Sequence, residues 1–391
     1  MSLSHTLLSS VAATAFGAWL YLTFARGHFW RFPKMPLCQG VATASTPPSV
    51  VAIIPARDEA TLIEQALGSL VRQEYSGLLQ ILVIDDHSTD RTVEIALGVA
   101  RSSRKRVSVI SSAPLPQGWT GKMWALFQGV QQATELEPEY FLFSDADIVR
   151  EEASLTSLVA VAELEGLDLL SLMPKLDCST FAERALLPAF LFYFFMLYPP
   201  DWVRSAKHNT AAAAGGNVLV RARALAQIGG IAAIRNELID DCALARKIKS
   251  FGRIQLGWTE DARSLRKYGG FTQLGAMISR TAFYQLRHSI PRLFASIASL
   301  TIVFLAPPML LFLGGWGSAL AFSAWVLMSL SYIPTLDFLR RSRLWAPLLP
   351  FITLFYLGST IHSAVQYYRG RGGRWKNRTQ DTIVFRSASG S

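Results

Sequence analysis

The feature that most constrains this chain is a set of long stretches without charge. Leu7 to Phe24 contains no Asp, Glu, Lys or Arg, and Phe294 to Gly314, Ser318 to Leu336 and Leu344 to Val365 crowd the C-terminal third. At about 18 to 20 such residues a bilayer-spanning helix becomes the default expectation. Only 17% of the 391 residues are charged and 51% are hydrophobic, against roughly 25% charged in a soluble domain. Such a composition excludes intrinsic disorder and leaves too little polar surface for a purely cytosolic enzyme. Three cysteines (Cys38, Cys178, Cys242) without C-x-x-C spacing exclude a disulfide framework and a thiolate zinc site.

Charge placement sets the expected topology. No Lys or Arg precedes the first apolar run, whereas Arg26, Arg31 and Lys34 come after it. That order favours a retained anchor over a signal peptide, despite the cleavage-like Ala42-Thr43-Ala44, and puts the chain beyond Arg26 in the cytoplasm. From Arg340 onward there are 9 basic residues and 1 acidic, a net of +8 out of the total +10, leaving +2 elsewhere. Basic residues beside apolar spans point to anionic lipids, not nucleic acid. If all three C-terminal stretches cross, the basic tail emerges outside, against the rule. The conflict resolves if one of them is re-entrant or interfacial.

Between Ser49 and Tyr268 apolar strands alternate with helical stretches. Val50–Pro55, Gln80–Asp86, Val107–Ser111 and Tyr140–Ser144 read as strands, with helices over 60–72, after Ser88-Thr89-Asp90, and over 121–132. This alternation predicts an α/β domain with a mostly parallel sheet, whose ligand sits beyond the carboxyl ends of the strands. Neither G-x-G-x-x-G nor G-x-x-x-x-G-K-[ST] occurs in the right context, so dinucleotide and P-loop folds are not expected. The segments just past the strands are acidic: Asp58 and Glu59, Asp85 and Asp86, Asp145 and Asp147. Carboxylates gathered at one sheet edge need a cation or hydrogen-bond donors among them.

Asp145-Ala146-Asp147 is the sharpest local signal. In an extended segment residues i and i+2 point the same way, so both could reach one ion, and Mg2+ takes one or two carboxylates plus phosphate oxygens. A solvated turn would look the same. Asp86 suits a nucleoside N–H or ribose hydroxyl, or merely the cap of the next helix. Gly118-Trp119-Thr120-Gly121-Lys122 opens a helix whose N–H groups and lysine suit a diphosphate, or is an ordinary junction. Gly215-Gly216-Asn217 precedes a strand, and Asp240-Asp241 begins a helix where the pair either caps it or supplies a general base. Ala185 to Tyr198 is apolar and aromatic, and is expected to lie at an interface: a single crossing there would separate the acidic clusters across the membrane.

In order, IIPARDEA, VIDDHSTD, FSDADIV, AGGNVLV and ELIDDCAL resemble the inverting family 2 glycosyltransferases of GT-A fold, over roughly residues 49–288. The anchor, LPQGWTGK and the WKNR tail are most similar to the hopene-associated group, relatives of ceramide glucosyltransferase. The resemblance implies a bacterial inner-membrane enzyme with a nucleotide-sugar donor and a membrane lipid acceptor. It implies that Asp58 and Asp86 contact the nucleoside of a uridine sugar and that Lys122 and Asp145 meet the diphosphate. Asp145 and Asp147 would hold Mg2+ or Mn2+, and Asp241, supported by Asp240, would take the acceptor proton. Polysaccharide synthases of the family carry Q-x-x-R-W. Here Met277-Ile278-Ser279-Arg280-Thr281 lacks the Gln and Trp, so Arg280 is left to meet phosphate and transfer of a single sugar is favoured over a polymerase or a polyprenyl-phosphate transferase. A nucleotide-binding scaffold without activity is the alternative outside enzymes. The expected organisation is an anchor over 1–30, a catalytic domain over 49–268, an amphipathic segment over 269–292, membrane helices over 293–366 and a basic tail over 367–391.

Overall fold

The computed structural model describes residues 3–31, 47–375 and 378–379. Most of the expected basic tail, Cys38, Lys34 and the cleavage-like Ala42-Thr43-Ala44 therefore lie outside the described residues. The first half runs α1 (Leu3–Phe24), β1 (Val50–Ala56), α2 (Ile63–Val71), β2 (Leu79–Asp85), α3 (Thr92–Ser102), β3 (Arg106–Ser111), α4 (Gly121–Ala133), β4 (Tyr140–Ser144), β5 (Ile148–Arg150), α5 (Ser154–Leu164) and β6 (Leu169–Lys175). Then come α6 (Phe181–Leu197), α7 (Pro200–Arg204), β7 (Asn217–Arg221), α8 (Ala222–Gln227), α9 (Asp240–Lys249) and β8 (Ile254–Ser264). Helices α10 (Phe271–Gln285), α11 (Ile290–Leu300), α12 (Ala306–Met309), α13 (Gly315–Phe338) and α14 (Leu349–Tyr368) complete it, with two-residue strands β9 (Arg374–Trp375) and β10 (Arg378–Thr379).

Two compact units result. One draws on the described residues of Lys34–Asp177 and Trp202–Arg266, the other on those of Met1–Pro33, Cys178–Asp201 and Lys267–Thr382. The expected continuous domain over 49–268 is thus interrupted: residues 178–201 cluster with the apolar helices.

The α/β unit is an eight-stranded sheet of order β3-β2-β1-β4-β7-β6-β8-β5. Strands β1 to β4 are mutually parallel where they pair, β7 runs antiparallel between β4 and β6, and β5 antiparallel to β8. The β1 sequence VVAIIPA is buried throughout, as expected of a strand covered on both faces. The parallel half of this sheet comes from β-α-β units, so the loops after β1, β2 and β4 emerge at one edge. Helix α4 lies so close to the sheet that a Cβ on Gly129 would sit 2.5 Å from Ile53 Cγ2.

The sheet also limits α6. Strand β6 precedes that helix, β7 and β8 come after it, and all three are neighbours in one sheet. Residues 181–204 are long and apolar enough to cross a membrane, yet one crossing would place hydrogen-bonded strands on opposite sides. A single crossing by α6 is therefore incompatible with this sheet.

The helical unit holds four further stretches with the length and composition to span a bilayer: 3–24, 290–312, 315–338 and 343–368. Polar contacts set its packing, because apolar burial gives little direction between helices in lipid. Trp19 Nε1 donates to the Val303 carbonyl (2.8 Å) and Thr23 pairs with Ser331 (3.3 Å). Tyr193 pairs with Thr353 (2.7 Å) and Tyr356 donates to the Leu186 carbonyl (2.7 Å), locking α6 to α14. Arg26, just past α1, donates to the Met196 carbonyl at the end of α6 (3.1 Å). The 290–312 stretch is not one regular helix. A π-helical segment over 301–305 and Pro307-Pro308, which lack amide donors, interrupt the ladder.

Gly129→Ala should lower the thermal midpoint of the detergent-solubilised protein by a margin matching about 1–3 kcal/mol, because Ile53 cannot retreat within a packed sheet face. Gly98→Ala, on α3 with nothing within 4 Å, should leave it unchanged or raise it. Equal effects from the two variants would contradict this account of α4 packing.

Candidate active site

The loops after β1 and β2 are laced together. Asp58 and His87 both adopt left-handed backbone, φ 49° and 55°, a conformation that non-glycine residues hold only where the surroundings dictate it. Asp58 accepts from Thr89 N (2.8 Å) while its own N–H donates to Ser88 Oγ (2.9 Å). Asp90 also joins this group. It accepts from the Thr92 and Ala60 amides, both 3.0 Å, and so ties the two loops. Asp86 is buried, its carboxylate facing the Arg57 guanidinium at 3.2 Å and its carbonyl accepting from the same Nη1 at 2.6 Å. Arg57 was not expected to matter; its only signal was standing next to Asp58.

A second group gathers around Lys122. Thr120 caps α4 by accepting from Met123 N (3.3 Å), which places Lys122 in the first turn. The Lys122 ammonium lies 3.0 Å from Asp145 Oδ1 and 3.4 Å from Asp240 Oδ2. Asp241 accepts from Gly215 N at 2.8 Å and, through its other oxygen, from Cys242 N at 2.7 Å. The Gly215-Gly216 turn runs tight between the two acid groups. A Cβ on Gly215 would meet Asp241 Oδ2 at 3.1 Å and Lys122 Nζ at 3.3 Å, and one on Gly216 would meet Asp145 Oδ2 at 3.4 Å. Lys122, Asp145, Gly215, Asp240 and Asp241 line one pocket, with Pro55 and Phe143 forming its apolar floor.

The electrostatics arise from that crowding. Burial alone would lower the proton affinity of Lys122, but Asp145, Asp240 and Asp241 outweigh it and the net shift is upward. Burial first, and Asp240 second, push the Asp241 carboxyl up to about 6 against the opposing Lys122 charge and two amide donors. A carboxylate of this kind binds a proton near neutrality and can release it.

Asp147 does not share this environment. The turn at Ala146-Asp147 ends the extended backbone, so the alternation that was to align the two carboxylates does not apply. Asp147 is buried, takes the Ser264 hydroxyl as donor and lies 3.5 Å from Arg266, which also pairs with Glu59 at 2.7 Å. Burial foremost raises its proton affinity, Arg266 opposes that, and Asp145 adds to it. Arg266 and Ser264, at the end of β8, carried no sequence signal. Arg280 lies on α10, in the helical unit, where Ser363 of α14 donates to the Ser279 carbonyl and accepts from Phe283 N (3.0 Å), bracing the turn that carries it. The expected residues thus fall into three neighbouring groups on the α/β unit, with Arg280 on the other unit.

Replacing Lys122 by Met leaves Asp145, Asp240 and Asp241 to repel one another, which raises their folded-state proton affinities. The thermal midpoint of Lys122→Met should therefore fall below that of the parent most at pH 8, and the gap should narrow toward pH 5 as the carboxylates protonate. A gap that is constant with pH would contradict the counter-ion role.

Residues 51–229 match the family model described as Glycosyl transferase family 2. A 4,4'-diaponeurosporenoate glycosyltransferase of Staphylococcus haemolyticus is 29% identical over 156 residues, covering 39% of this chain. The match spans 38% of that relative's length, well under half. Among solved structures, a mannosyltransferase from Pyrobaculum calidifontis in complex with GDP-Man and Mn2+ superposes with a TM-score of 0.54, over 92% of this chain and 98% of that one, at 19% identity. At that identity the likeness speaks for the fold. Residues 51–229 are thus similar to the family 2 glycosyltransferases, on a sheet of GT-A fold flanked by apolar helices.

Proposed function

We propose that this protein is a membrane-bound, inverting glycosyltransferase that moves one sugar from a nucleotide-sugar to a lipid hydroxyl. The observation that carries the reading is Asp241: an acid held by the Gly215 amide, sharing a pocket with Lys122 and Asp145, with a proton affinity raised to about 6. In this reading Asp241 removes the acceptor proton as the oxygen attacks the anomeric carbon, Asp240 helps to keep its proton affinity up, and Lys122 offsets the repulsion between the two. Asp58 and Asp86 receive the nucleoside, and Lys122 at the α4 N-terminus attracts the leaving diphosphate. Arg280, on the helical unit, is a further candidate for the phosphates. The group resembled is the hopene-associated one, so a hopanoid polyol is the acceptor to try first.

A divalent ion fits the donor set. Among the described residues no cluster of three or more His, Cys, Asp or Glu could hold a metal by itself. The Asp145 carboxylate reaches the pocket, which suits an ion completed by phosphate oxygens, as Mg2+ and Mn2+ favour. Asp145 would hold it, with Asp147 two residues on. Bound there, the ion would neutralise charge growing on the leaving diphosphate. The mannosyltransferase of the same fold was solved with Mn2+.

The relative's name points to a second acceptor chemistry, a carboxylate. An acceptor already ionised at neutral pH needs no base, whereas a hydroxyl does. The raised proton affinity of Asp241 supports the hydroxyl.

Purified protein given radiolabelled UDP- or GDP-sugars and host lipid extract should form a glycolipid bearing one sugar; a polymer, or no transfer with any donor, refutes the reading. Its kcat/KM should fall on the acid side with an apparent pKa near 6, since only ionised Asp241 accepts a proton. Asp241→Asn should cost about 10²–10⁴-fold in turnover with nucleotide still bound. By calorimetry, Mn2+ should bind far more tightly with nucleoside diphosphate present than alone.

A further inference from the structure

Beneath the pocket lies a charge that the transfer chemistry does not use. Arg150, the last residue of β5, is 4% exposed. Its Nη1 donates to Asn217 Oδ1 (2.7 Å), and its Nη2 donates to Ser144 Oγ (3.0 Å) and the Gly216 carbonyl (3.4 Å). All three acceptors are neutral. Among the described residues no carboxylate oxygen lies within 4 Å of this guanidinium, and its Nε, like Nδ2 of Asn217, is buried with no acceptor. Burial pushes its proton affinity down to about 10, with Asp145 opposing, so it stays charged at neutral pH.

An unpaired buried cation is costly, and an apolar side chain of similar length would fill the space without that penalty. What the guanidinium joins explains its retention. Ser144 immediately precedes Asp145. Gly216 comes directly after Gly215, whose amide holds Asp241. Asn217 starts β7, which pairs with β4 through Ser144. The rigid fork thus fastens the residue before the diphosphate-side acid to the Gly215-Gly216 turn, whose amide holds the base at the start of α9. A lysine could carry the charge but could not span three acceptors in one plane. Neutral hydrogen-bond partners leave Asp145 as the one anion whose charge acts on it, so a further anion bound beside Asp145 would feel that positive charge.

We infer that Arg150 is a positioning residue for the transfer reaction: its fork sets the spacing between Asp145 and the Gly215 amide that holds Asp241, and its charge, hydrogen-bonded only to neutral acceptors, strengthens binding of the donor's diphosphate. This rests on the glycosyltransferase reading proposed for the pocket.

The test uses the full chain in detergent, with Mn2+, and compares Arg150→Met with Arg150→Lys. Affinities for UDP, GDP and uncharged uridine are read by competition, alongside kcat and KM. Arg150→Met should weaken diphosphate binding roughly tenfold or more and leave uridine unchanged, a selectivity that general loosening of the fold would not produce. Arg150→Lys should keep diphosphate affinity within a few-fold yet lose about tenfold or more in kcat, because charge survives and the fork does not. An unaltered ratio of UDP to uridine affinity in Arg150→Met overturns the electrostatic part. Parental kcat in Arg150→Lys overturns the positioning part, and that variant decides the matter if the Met variant does not fold. Parent protein that binds neither UDP nor GDP sinks the glycosyltransferase reading itself, an outcome distinct from both.

Discussion

The pocket depends on how one ammonium holds three carboxylates. Asp145 and the adjacent pair Asp240-Asp241 arrive from different parts of the chain, and without Lys122 among them their mutual repulsion would open the site. The arrangement leaves the acids unequal. Asp145 is paired directly at 3.0 Å, whereas Asp241 takes backbone amides and stays deep enough for burial to dominate its titration. Asp241 thereby titrates near neutrality beside the Lys122–Asp145 ion pair, the kind of setting that acid–base sites use.

Around this centre the protein uses cations in three settings. Arg57 faces buried Asp86, Arg266 bridges Glu59 and Asp147, and Arg150 has neutral partners only. The first two offset charges already present. The third is left over, which suits a site whose missing negative charge comes with its ligand.

The fold also disciplines the membrane-facing part. An amphiphilic excursion, residues 178–201, leaves the sheet after β6, and the chain re-enters the sheet at β7. Because sheet neighbours cannot lie on opposite sides of a bilayer, the strand order is incompatible with a single crossing between β6 and β7.

Much was legible along the chain, where the physics is local. Alternating apolar and helical periodicity located β1 to β4 and α4 to within a residue or two, and absence of charge located the apolar helices. The acidic loops stood out because carboxylates directly after buried strands need partners. What could not be read was who those partners are. Arg57, Arg150 and Arg266 look like ordinary surface residues in a linear string; only strand order brings Arg150 beneath Ser144 and Asn217, or Arg266 to Glu59, 207 positions away. The same limit undid the pairing of Asp145 with Asp147. Alternation holds for extended backbone, and the turn between β4 and β5 sends one side chain to the pocket and the other to Ser264. Sequence alone determined the elements, the apolar helices and the acids on offer, because these rest on short-range periodicity and burial. Tertiary structure alone decided which acid meets which cation, because Coulomb and hydrogen-bond partners are chosen by distance in space.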